Sequence, residues 1–142
     1  LELAFDLAIE RGADPILIFG ALGGRWDMTL GAVALLSRPD LGGRTVVICD
    51  GQQEIRLLDS GRTHRIDGKK GDTLSLVPFG QDARGVTLAG FEYALDAEPL
   101  PTGITRGISN VFVAETATVG LEQGCLLCIV TRRCQGPAAG PG

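Results

Sequence analysis

One histidine, one tryptophan, one tyrosine and one methionine occur in 142 residues. With His64 alone, a Ser–His–Asp set has one possible base, and that base sits among Arg62, Thr63 and Arg65, where a solvated turn is expected. Hydrolytic nucleophile chemistry therefore has no support. Cys125 and Cys128 have the CxxC spacing of a redox pair or half a zinc site, but the run 125–130 is apolar and β-like, where residues three apart point to opposite faces, and there is no second such pair. Cys49, Cys125, Cys128 and Cys134 read instead as buried thiols of a reducing, cytoplasmic compartment. Aromatic residues make up 5%, and 13 basic against 17 acidic residues give a net charge of −4. Neither the stacking surface nor the charge needed for nucleic acid is present. No apolar run approaches the roughly 20 residues of a membrane span, and no secretory signal precedes the first helical pattern. Charged residues at 21% and hydrophobic ones at 44% exclude a disordered chain.

Glycine is abundant, at 21 residues without a three-residue period. It punctuates short apolar runs, which predicts many turns and short strands. Residues 1–11 read as a helix with Leu1, Leu3, Ala4, Leu7 and Ala8 as its stripe. Residues 15–20 form a continuous apolar run, expected to be a parallel strand buried on both faces. A glycine-rich loop, 20–27, leads into a second helix carrying Met28, Leu30, Val33, Ala34 and Leu36, with Asp27 or Thr29 as its cap. Residues 45–49 are another strand. This is an α/β order.

After Asp50 the rhythm changes. The runs 53–58, 62–66, 73–77, 86–88, 91–95, 108–114 and 126–131 are short and β-prone, which predicts a sandwich or barrel. The expected organisation is α/β plus all-β: an α/β part over 1–52, a β-sandwich over 53–134 and a disordered tail over 135–142. Two strands and two helices are too few to bury both faces of a parallel sheet, so further strands or a partner surface are expected.

Three stretches carry candidate chemistry. Gly23, Gly24, Arg25 and Asp27 follow a buried strand and open a helix, where glycine backbone, helix N–H groups and a guanidinium fork suit phosphate. Asp27 is the candidate for holding Mg²⁺ or for orienting Arg25; a plain strand–helix turn has the same spacing. Ser109 and Asn110 offer uncharged donors and acceptors for a heterocycle, or they close a turn on their own backbone. Tyr93 is either a ring platform or a core aromatic.

Taken together, these stretches resemble the thiamine pyrophosphokinase family. The resemblance runs in order through 23–27, 61–64, 75–78, 85–95 and 107–110. It implies a partial Rossmann-like α/β nucleotide domain followed by a β-sandwich thiamine-binding domain. It also implies Mg²⁺-dependent transfer of a diphosphate from ATP to the thiamine hydroxyl, releasing AMP. Arg25 and Asp27 would then be catalytic, Gly23, Gly24 and Arg25 nucleotide-binding, and Ser109, Asn110 and Tyr93 thiamine-binding. Asp27 would be the metal ligand, and thiamine would lie between the subunits of a homodimer.

Two departures are expected to matter. Met28 stands where the family pattern has His or Gln. The family's other essential carboxylates precede a helix like 1–11 and fall on no residue here, so the sequence reads as the C-terminal two-thirds of a family member. The alternative is a catalytically silent relative that binds thiamine or only dimerises.

Overall fold

The computed structural model describes residues 1–133; Cys134 and the predicted tail lie outside the described residues. Two helices and ten strands are present among the described residues. Helix α1 (Glu2–Glu10) leads to β1 (Ile16–Phe19), α2 (Trp26–Leu35), a 3-10 turn (Pro39–Leu41) and β2 (Val46–Asp50). Then follow β3 (Gln53–Asp59), β4 (Arg62–Asp67), β5 (Thr73–Pro78), β6 (Ala83–Ala89), β7 (Leu95–Leu100), β8 (Asn110–Val111), β9 (Thr116–Leu121) and β10 (Cys125–Thr131).

A six-stranded sheet has the order β1-β2-β3-β10-β5-β8, and a four-stranded sheet the order β4-β9-β6-β7. Only β1 and β2 pair in parallel, from Ile16 opposite Val46 to Phe19 opposite Cys49. The connection between them runs through α2, as a parallel pair requires. The larger sheet is continuous from the α/β part into the β-rich part, because β2 pairs antiparallel with β3, Ile48 facing Ile55.

There are two cores. Between the sheets, Leu58, Ile66, Leu74, Leu76, Val86, Leu100, Phe112, Val119, Leu126 and Val130 pack together. Phe112 is fully buried and meets Phe91 edge-on, 4.8 Å between ring centroids. On the other face of the larger sheet, Phe5, Ala32, Val33 and Leu36 from the helical side cover Ile16, Ile18, Val46, Ile48 and Ile55.

Several expectations need correction. Strand β1 is covered on one face only: Leu17 is 51% exposed and Phe19 70% exposed, while Ile16 and Ile18 are buried. Its periodicity is that of a half-covered edge strand. The buried stripe of α1 is Phe5 with half-buried Ala8 and Ile9, while Leu1, Leu3 and Leu7 face outward. In α2, Met28 and Leu30 are also exposed. Neither Asp27 nor Thr29 caps α2. Arg25 is the N-cap residue, and the Thr29 hydroxyl donates to the Ala21 carbonyl at 3.0 Å. The 91–95 run is mostly loop, with β7 starting at Leu95, and the 108–114 run shrinks to a two-residue β8. Strand β9 has no counterpart among the predicted runs. His64 is not in a solvated turn: it lies on β4, its side chain 12% exposed, with Nε2 2.8 Å from the Asp59 carbonyl oxygen.

Candidate functional site

The turn after β1 leaves the carboxyl end of the parallel pair, where α/β sheets place their ligands. Gly23 and Gly24 have φ of +98° and +66°, values that would strain any side chain. Added Cβ atoms would nonetheless meet nothing within 4 Å, so backbone freedom rather than packing demands glycine there. The Arg25 amide then bonds back to the Gly23 carbonyl at 2.8 Å, and the chain enters α2 with no side chain capping its first turn. Arg25 Nε donates to Asp27 Oδ1 at 3.1 Å, and Nη2 donates to Oδ2.

That two-pronged contact joins Asp27 to Arg25. The fork–fork geometry fixes the guanidinium plane. It also holds the Asp27 carboxyl below the usual carboxylate range, with the Met28 backbone N–H assisting, and raises Arg25 in turn. Both side chains are exposed, so the pair is a surface feature whose worth is orientation rather than stability.

Beside this turn is a cavity of about 380 Å³. Leu22, Gly23, Gly24, Arg25, Trp26 and Thr29 form one wall, and Gln53, Ile55 and Ile129 the other. The glycine–arginine turn thus adjoins an apolar slot whose lining includes the exposed Trp26. The sequence reading missed Trp26, Gln53, Ile55 and Ile129. Trp26 had a signal, being next to Arg25. The two isoleucines had none, because they meet only through the antiparallel register of β3 and β10.

A second cavity, about 530 Å³, lies at the other edge of the larger sheet. Tyr93 and Asn110 line it together with Leu88, Glu92, Arg106 and Ile108. Tyr93 is 65% exposed, so it is not a core aromatic. Asn110 is buried and spends its amide on the neighbouring loop. Its Oδ1 accepts from the backbone N–H of Tyr93 and of Val111, both at 3.0 Å, and its Nδ2 donates to the Tyr93 carbonyl at 2.6 Å. One amide N–H is left over. Ser109 is exposed and holds φ of +61°, an uncommon conformation for a non-glycine residue, with its N–H donating to Ser75 Oγ at 3.1 Å. Gly107 lets this segment approach β5 closely, since a Cβ there would lie 2.5 Å from the Leu76 carbonyl oxygen. Glu92, Arg106 and Ile108 were not singled out from sequence; Arg106 is paired with Glu98.

Arg25 and Asp27 are therefore together, Tyr93, Ser109 and Asn110 are together, and the two groups are apart. The strand before the first, β1, and the strand that Asn110 opens, β8, are opposite edges of one sheet. Five inter-strand steps separate them, about 24 Å at the usual spacing. The two cavities share no lining residue.

For Mg²⁺, the fit rests on Asp27. Among the described residues no three His, Cys, Asp or Glu side chains gather to hold a metal. Mg²⁺ nevertheless takes one or two carboxylates and fills its remaining positions with phosphates and water, so an exposed Asp27 beside a triphosphate fits that donor set. Cys125 and Cys128 lie on one strand, the first half-buried and the second buried, as opposite-facing positions require. Burial pushes the Cys128 thiol up to about 11, so it is an inert core group.

Comparison with known proteins points in one direction. The profile described as "Thiamin pyrophosphokinase, vitamin B1 binding domain" matches residues 63–126, a stretch that holds Tyr93, Ser109 and Asn110. The thiamine pyrophosphokinase of Bacillus subtilis is 33% identical over 129 residues, which is 91% of this chain and 60% of the relative. These similarities support membership of the thiamine pyrophosphokinase family. The crystal structure of the Bacillus subtilis enzyme superposes with a TM-score of 0.87 at 31% identity, covering 94% of this chain and 62% of that one. That of Geobacillus thermodenitrificans gives 0.82 at 29% identity, over 94% and 61%. The mostly β architecture with its β-sandwich is thus the fold of these thiamine pyrophosphokinases, of which the chain spans about three fifths.

Proposed function

We propose that the protein is a thiamine diphosphokinase, transferring a diphosphate from ATP to the thiamine hydroxyl. The observation that carries this reading is the coexistence of two cavities. One is a glycine–arginine turn at a helix N-terminus; the other is a Tyr93-bordered pocket inside the segment matched by the vitamin B1 binding profile.

Arg25, held in plane by Asp27, grips phosphate oxygens, and the Gly23–Gly24 backbone lets the chain come close to them. The apolar slot of Trp26, Ile55 and Ile129 takes the adenine ring, in what serves as the Rossmann-like part of the protein. Tyr93 offers its ring to the aromatic cation of thiamine, on a loop that Asn110 fixes. The thiamine hydroxyl oxygen forms a bond to the β-phosphorus and loses its proton to solvent, the bond from that phosphorus to the α-phosphate oxygen breaks, and AMP leaves. Asp27 would be the residue of this chain that holds Mg²⁺, which would supply neutralisation of phosphate charge.

Such a transfer needs the reacting atoms about 3–3.5 Å apart. The two cavities share no lining residue, which supports a shared site, with the turn of one copy facing the pocket of another in a homodimer. A cytoplasmic enzyme accords with the free thiols of Cys49, Cys125 and Cys128.

The test is AMP release from ATP and Mg²⁺ with and without thiamine. Release that requires thiamine, and that Arg25→Ala abolishes without lowering the unfolding midpoint, supports the enzyme; release indifferent to thiamine refutes it. One observation favours the second reading, a silent thiamine-binding or dimerising relative: Asp27 is the only carboxylate at the turn, and Arg25 already engages both its oxygens. Thiamine binding without AMP release would establish that reading instead.

A further inference from the structure

We propose a second anion site, for a small phosphoryl anion, at the end of the α/β part opposite the Gly23–Asp27 turn. A cavity of about 280 Å³ opens there, bordered by Arg44, Thr45, Arg56, Arg62, His64 and Arg65. Its position follows from topology. Arg44 and Thr45 enter β2 at its amino end, and β3 runs back antiparallel to bring Arg56 alongside. The Gly23–Asp27 turn leaves β1 at the carboxyl end of the same parallel pair. Strand β4, an edge of the smaller sheet, closes the third side.

Arg62 is paired with Asp59, whose carbonyl oxygen also contacts His64 Nε2, and Arg65 is paired with Asp67. Arg44 and Arg56 are half-buried and enter no ion pair among the described residues. Arg44 donates only to the Leu41 carbonyl, at 2.9 Å, and Arg56 has the Cys128 thiol beside it. Arg44 and Arg56 thus border the cavity without a paired carboxylate, while the Asp14 carboxylate accepts from the Thr45 backbone N–H at 3.0 Å beside them. Half-buried guanidiniums without counter-ions cost desolvation that a bound anion recovers. Two half-buried guanidiniums without paired carboxylates suit a phosphoryl group, which carries about −1.5 to −2 near neutral pH. Arginine forks also suit its oxygens better than those of a monovalent ion. The site is separate from the proposed active site and does not depend on that reading.

The experiment is a titration of the protein with inorganic phosphate and inorganic diphosphate, read by calorimetry and by backbone amide shifts. The Arg44→Gln/Arg56→Gln double variant and Arg25→Ala are titrated alongside. We expect the amides of Thr45, Leu57 and His64 to shift with either anion. The double variant should weaken that binding by about tenfold or more, the loss of at least one charge-assisted hydrogen bond. Arg25→Ala should leave it unchanged. Undiminished binding in the double variant, shifts confined to residues 23–29, or shifts that vanish in Arg25→Ala would each overturn the proposal. Should the double variant fail to fold, Arg44→Gln alone serves, and the amide map of the unaltered protein decides without any variant.

Discussion

Asn110 offers the sharpest perturbation. Its side chain is buried and makes three hydrogen bonds to backbone, two of them to the N–H and C=O of Tyr93. Replacement by Ala removes all three. Each is worth about 0.5–1.5 kcal/mol net. Tyr93 is exposed, so water takes over part of the loss, and the expected destabilisation is about 2 kcal/mol. Asn110→Asp separates hydrogen bonding from shape. The carboxylate keeps both acceptor contacts but sets an oxygen where Nδ2 meets the Tyr93 carbonyl at 2.6 Å. It should therefore be at least as damaging as Ala despite being isosteric. Chemical denaturation gives the stability, and calorimetry with thiamine gives the affinity, which should fall in both variants as the Tyr93 loop loosens. An Asp variant within about 0.5 kcal/mol of the parent, the range of an indifferent surface substitution, with unchanged thiamine binding would refute the reasoning.

Other outcomes follow from the same structure. Phe112→Ala empties the centre of the sandwich, where the ring is fully buried against Phe91, and should cost about 3–5 kcal/mol in denaturant unfolding. Asp72 is buried. Burial alone would raise its carboxyl, but the backbone N–H groups of Arg133 and Lys69, each at 2.8 Å, and the nearby Arg132 outweigh that and lower it. Its contribution to stability is thus complete above the unfolded carboxylate value near 3.9 and is lost as pH falls below it. The stability gap between the parent and Asp72→Asn should be wide at pH 7 and narrow at pH 3. A gap that widens on acidification would contradict this.

Much of the layout was legible because local pattern and tertiary outcome agree. The apolar run before Gly20 is a strand, the turn after it opens a helix, and Tyr93, Ser109 and Asn110 lie in one region although 17 residues separate the outer pair. What was not legible depends on neighbours. Strand β9 (Thr116–Leu121) alternates Ala117, Val119 and Leu121 inward with Thr116, Thr118 and Gly120 outward, but the small Ala117 and the strand-weakening Gly120 keep that period faint. It forms because β4 and β6 pair with it on both sides. The apolar stripe of α1 suggested Leu3 and Leu7 as core, yet the sheet meets Phe5. Periodicity gives a helix an apolar face but cannot say which of two faces finds a partner. Nor could the distance between turn and pocket be read from motifs, since it follows from β1 and β8 being the two edges of one sheet.

The shared site can be tested by mixing. Arg25→Ala spoils the turn, and Asn110→Ala spoils the pocket. Each variant alone should be inactive in thiamine-dependent AMP release. Random pairing makes half the dimers mixed, and each mixed dimer regains one intact site of two, so mixing equal amounts should restore about a quarter of the parent activity. Mixtures that stay as inactive as their components would contradict an active site built from two copies.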